Sequence, residues 1–220
     1  MNARVQSLAL LTFAACLIRL ACSDILLNYV RAGARPLVFG GALVVASVGL
    51  WRLLTPNGVE VPTTRAAWLL LAPVFTVAIV SPPPLGVLTA NQRSNVPRRP
   101  DDALAALPRT DPVQIKMSDL VVRSYWDHGR TLRGHTLRVV GFVSATTKTG
   151  FVMSRLVITC CAADAEPDRL EVTTAQPTMP VGTWIEVTGG YADGSAFGPY
   201  VPRVAASDVR QIKPPANPYD

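Results

Sequence analysis

"HTLRVVGFVSATTKTGFVMSRLVIT", residues 135–159, holds two apolar runs of strand type, the second opening at Gly150. In the first, Leu137, Val139 and Gly141 fall on one side and Arg138 and Val140 on the other, the two-residue period of a strand with one face turned inward. Three more runs of the same kind follow: "RLEVTTA" (169–175), "TWIEVTGGYA" (183–192) and "YVPRVAASDVRQI" (200–212). Five such runs at close spacing, with Gly, Pro and Asp between them, predict a small all-β domain. Glycines at 141 and 189–190 lie inside runs, where a missing side chain lets a strand bend or bulge to turn a corner. The expectation is an OB-like five-stranded barrel over residues 113–220. One helix precedes the barrel, "SDLVVRSYWDH" (118–128), with Ser118 in capping position and Asp119 at the positive end of the helix dipole. Ahead of it, "VQIKM" (113–117) reads as a short strand.

Upstream the composition changes character. Of the 220 residues 49% are hydrophobic and 16% charged, and the apolar excess concentrates toward the N-terminus. Three segments there are apolar enough to be read as membrane spans, at about 5–30, 36–54 and 66–81, forming an α-helical transmembrane region over 1–81. Pro73 in the third is compatible with a span, because neighbouring helices can satisfy the freed carbonyl. A cleaved signal peptide is the alternative for the first segment, but no small-residue cleavage site follows it. Arg19 and Asp24 lie inside that segment as drawn. They mark either a polar contact within the membrane or a span shorter than drawn, with Asp24 at the interface. Residues 82–112, rich in Pro and Arg and opened by Pro82–Pro84, read as a linker. A cytoplasmic N-terminus followed by three spans would place the C-terminal domain outside the cytoplasm, on a multi-pass protein of the cell membrane.

The net charge of +6 belongs to this first part. Up to Pro100 there are nine Arg against Asp24 and Glu60, whereas from Asp101 onward twelve Lys and Arg face thirteen Asp and Glu. The β domain therefore lacks the excess cationic charge behind most non-specific nucleic-acid affinity, and no nucleic-acid partner is expected. No hydrolase triad, glycine-rich phosphate loop or correctly spaced dinucleotide fingerprint is present, so the expectation is a protein that is not an enzyme.

The chemistry-bearing residues sit at the end of the second run, in "SRLVITCCAADAEP" (154–167). Three readings of Cys160 and Cys161 stand open. With Asp164, and with His128, His135 or Arg155 in support, they would form a sulfur and oxygen site for a transition metal such as zinc. Neighbouring strand residues point to opposite faces, so this requires that the strand end before them. Alternatively the pair cycles between thiols and a strained vicinal disulfide, making a membrane-anchored redox or sensor protein. In the third reading the cysteines pack as small hydrophobes in a purely structural interaction module.

The blocks "LRGHTLRVVGFV", "FVMSRLVITCCAADAEP", "GTWIEVTGGY" and "YVPRVAASDVRQIKPPANPY", behind apolar segments ending in "PPPLG", resemble the YcgQ-like bacterial family. The resemblance rests most on the Cys-Cys-x-x-Asp-Ala block, with Arg155, Gly141 and Trp184 matching around it. It implies an integral membrane accessory subunit of a two-component permease system, with a predicted permease as partner. The association of such proteins with zinc-responsive gene sets further implies metal handling.

Overall fold

The computed structural model describes residues 3–55, 85–92, 97, 99–100, 104–177, 179–195, 197–198 and 200–220. The chain forms two compact units, Met1–Pro84 and Leu85–Asp220.

In the first unit, α1 (Ala3–Ala21) and α2 (Arg35–Leu54) pack on one another. Ala14 of α1 and Ala42 and Gly49 of α2 are buried. A Cβ placed on Gly49 would stand 3.2 Å from Leu10 Cβ, so a small residue there permits the close helix approach seen in membrane hairpins. Leu37, Val44 and Trp51, seven residues apart, stay exposed along α2.

The expected three spans are corrected here. Among the described residues one helix, Ala32–Leu54, is long and apolar enough to cross a membrane, at 23 residues; the apolar helix Gln6–Ala21 is shorter. The third expected span, 66–81, lies outside the described residues. The first segment does not run on to residue 30, because its end is capped. Ser23 Oγ donates to Leu20 O at 2.9 Å, and Arg35 donates to Ser23 O at 2.6 Å while pairing with Asp24 at 3.1 Å. Asp24 then opens a 3-10 turn, Asp24–Asn28, with its side chain exposed. It lies in the connection between the helices, and Arg19 is exposed in the last turn of α1.

The second unit carries α3 (Val87–Gln92), β1 (Val113–Gln114), α4 (Met117–Trp126), β2 (Thr136–Thr147), β3 (Gly150–Val157), β4 (Glu166–Thr173), β5 (Trp184–Ala192) and β6 (Arg203–Gln211). The five-stranded barrel is corrected to a six-stranded mixed sheet, ordered β1-β2-β3-β4-β6-β5, in which β5 also pairs with β2. Two parallel pairings make it mixed: β1 with β2, through the added edge strand, and β4 with β6. The long β2 reaches both β3 and β5, so the sheet curls around a core that includes Leu120, Leu137, Phe151, Leu170 and Ile185.

Two glycines permit the curl. A Cβ on Gly189 would meet Ala205 O at 2.2 Å, and the β5–β6 register shifts at that point. On Gly141 it would meet Ser154 O at 2.8 Å, where β2 crosses close to β3. The N-cap of α4 is Lys116 and it offers no side-chain bond; instead Asp220 Oδ2 accepts the Ser118 N–H at 3.2 Å.

Candidate metal-binding loop

β3 and β4 pair as far as Val157 opposite Glu166, and the intervening residues form the loop that carries the cysteines. Its two feet, Ile158 and Ala165, are buried. A buried apolar residue at each end fixes where the exposed tip can go. Since the strand stops at Val157, the alternation that would throw neighbouring side chains to opposite faces no longer applies.

At the tip, Asp164 organises the backbone. Its Oδ1 accepts the Thr159 N–H at 2.9 Å and its Oδ2 the Cys160 N–H at 2.8 Å. The 3-10 turn Ala162–Asp164 closes with the Asp164 N–H on Cys161 O at 3.0 Å. The consequence is convergence: the sulfurs of Cys160 and Cys161 lie 3.7 Å apart. The two sulfurs and an Asp164 carboxylate oxygen all fall within 4.8 Å of one another.

These distances can be set against coordination geometry. Two thiolates on one tetrahedral zinc, with bonds of about 2.3 Å, stand about 3.8 Å apart. The cysteine pair already has that spacing, and the carboxylate lies beside it. Cys160 is exposed and Cys161 and Asp164 are half-buried, so the group opens to solvent. Three ligands with an open fourth position make a site from which a cation can be exchanged.

The same contacts shift both titrating groups. The Asp164 carboxylate, accepting from the Cys160 thiol, raises that thiol to about 11, and the Cys161 sulfur adds to the effect. The same thiol, with the backbone N–H groups of Thr159 and Cys160, lowers Asp164 to about 2.

The other expected participants lie elsewhere. His128, at a positive φ of 56°, and His135 flank the turn after α4, and neither joins the group. Arg155 points away from it. Its Nε pairs with Asp220 at 2.8 Å, its Nη2 donates to Asn217 O and Tyr219 O at 3.1 and 3.2 Å, and its guanidinium lies 5.7 Å from the Trp184 ring centre. Trp184 also packs on Phe142. Tyr125 and Trp126 are exposed and form a surface group with Tyr200.

Residues 120–219 match the family described as DUF1980 C-terminal domain. No curated protein and no solved structure matches the chain.

Proposed function

We propose, from a chain whose residues 120–219 match the DUF1980 C-terminal domain, that it is a membrane-attached accessory protein that captures and hands on a transition-metal cation, zinc in the first instance, at Cys160, Cys161 and Asp164. The observation that carries this reading is the 3.7 Å separation of two neighbouring sulfurs beside a carboxylate, at the tip of a loop braced at both feet. Two thiolates and one carboxylate suit a borderline cation better than magnesium or calcium, which take oxygen ligands. The open fourth position suits transfer, and the acceptor is proposed to be the membrane permease that the YcgQ-like resemblance implies. Attachment through α2 would keep donor and acceptor at one membrane. The protein would act by binding, without catalytic turnover.

The redox reading is less well supported. A thiol serves as nucleophile or as metal ligand only as thiolate, so the rise of Cys160 to about 11 opposes both readings alike, whereas the Asp164 carboxylate beside the sulfurs has a use in cation binding and none in a disulfide. The exposed group of Tyr125, Trp126 and Tyr200 favours a docking role for the same domain beside the metal role, since Tyr and Trp are enriched where proteins meet partners.

The test is metal content of the full chain, purified reduced and anaerobically, beside a Cys160→Ser/Cys161→Ser version. About one zinc per chain is expected, absent from the double variant, with cobalt(II) giving a thiolate charge-transfer band only in the unaltered chain. Equal metal in both versions would sink the proposal.

A further inference from the structure

The feet of the cysteine loop do not stand on the main core. Ile158 and Ala165 belong to a separate, smaller cluster with Phe142, Leu156, Ala90 and Tyr219, against which Leu85 and Val87 also pack. Three stretches far apart in sequence therefore meet beneath the loop: the start of the second unit at 85–92, the end of β3, and residues 217–220.

Hydrogen bonds tie these stretches together. The Leu85 N–H donates to the Tyr219 hydroxyl at 3.2 Å, and the Asp220 N–H to Leu156 O at 3.0 Å. Both the Nε and Nη2 of Arg169, on β4, donate to Ala90 O, while Asn91 Nδ2 donates to Ser144 O at 3.3 Å. Arg155, three residues before Ile158, grips the far strand of the arrangement through Asn217 O, Tyr219 O and the Asp220 carboxylate. The side chains of Arg155 and Asp220 are 12% and 5% exposed, so this ion pair is shielded from water.

We infer, building on the metal-binding reading, that Arg155 and Tyr219 are positioning residues of the ligand loop: they clamp residues 217–220 and 85–92 against its feet and thereby set how tightly the cation is held. The feet fix where Thr159 and Asp164 begin, and that carboxylate sets the sulfur spacing. A loosened clamp lets the three ligands spread, which costs the bound state more than the free one. Linkage makes the effect reciprocal, so a bound cation must tighten the clamp by the same factor that the clamp tightens the site.

Zinc affinity of the full chain, measured by competition with a chromogenic chelator, tests this. Tyr219→Ala and Arg155→Ala are expected to weaken zinc by about tenfold or more, the scale seen when outer partners of metal ligands are removed. Tyr219→Phe, which keeps the ring in the cluster but loses the bond from the Leu85 N–H, should weaken zinc less than Tyr219→Ala. Val209→Ala, in the main core, should lower thermal stability and leave affinity unchanged. In the unaltered chain, zinc should slow amide hydrogen exchange at Ala90 and Asp220 relative to the zinc-free state. A folded Tyr219→Ala chain with undiminished affinity would overturn the inference, as would exchange at 85–92 and 217–220 that ignores zinc. If Tyr219→Ala does not fold, the exchange comparison on the unaltered chain decides. Zinc retained by Cys160→Ser/Cys161→Ser would overturn the metal site itself, and is read separately.

Discussion

Asp164 does two things that pull against each other. Its carboxylate holds the loop backbone through the Thr159 and Cys160 N–H groups, and by accepting a hydrogen bond from the Cys160 thiol it keeps that thiol protonated. With the carboxyl lowered from 3.8 to about 2, its support of the loop is complete above the ordinary value and fades as pH falls through about 2. Asp164→Asn weakens the hydrogen bond that holds the thiol proton and removes the charge that adds to it. Alkylation of Cys160 at pH 8 should then quicken by up to about a hundredfold, since each unit of pKa below the thiol's own value is a factor of ten in thiolate. An unchanged rate would mean that the carboxylate does not govern the thiol. A cation must likewise displace that proton, so apparent zinc affinity should rise at least about tenfold per pH unit between pH 6 and 8. A flat profile in a chelator competition would contradict this. The three candidate ligands were legible in the sequence because they lie within five positions, close enough for local spacing to bring them together. Arg155, expected in support of those ligands, instead holds residues 217–220, because its partner Tyr219 is 64 residues away and only the folded sheet brings the two together.

Among the elements, the long strands were readable because alternation and turn residues are local signals. What escaped depends on distant contacts. β1 falls where the sequence reads as a short strand, but its parallel pairing with β2 has no signature in its own sequence. α3 falls where the sequence reads as a linker; its six residues lack any sustained period, and it is held by Arg169 and Asn91 bonds to β4 and β2. The first helix stops at Ala21 because of a cap, which a hydropathy pattern does not register. α4 takes its cap from Asp220, which also neutralises Arg155. Asp220→Ala therefore removes a helix cap and leaves a shielded guanidinium without its carboxylate. Such losses cost about 3–5 kcal/mol, to be read from denaturant midpoints; a change under about 1 kcal/mol would show the pair to be marginal. Gly189→Ala should cost about 1–3 kcal/mol or more, because its Cβ meets backbone at Ala205 that cannot rotate away.

At the scale of the whole molecule, α2 carries the case for a membrane, with Leu37, Val44 and Trp51 exposed along it. Val44→Lys would place a charge near the middle of that helix, at an insertion cost of about 2.5–3.5 kcal/mol. The chain should shift from the carbonate-resistant membrane fraction toward the soluble or degraded pool; undiminished retention would show that α2 is not the anchor. The clamp beneath the cysteine loop also imposes an order on biosynthesis. A ribosome releases the chain from its N-terminus, so Arg155 and the cysteines emerge while Tyr219, 64 residues behind Arg155, is still to be made. Until that tyrosine arrives, the small cluster lacks its largest member, and on the proposed metal role the nascent cysteines would hold a cation less tightly. On that role, loading would be deferred until residues 217–220 are in place, and a stalled or prematurely released chain would compete poorly for the cation.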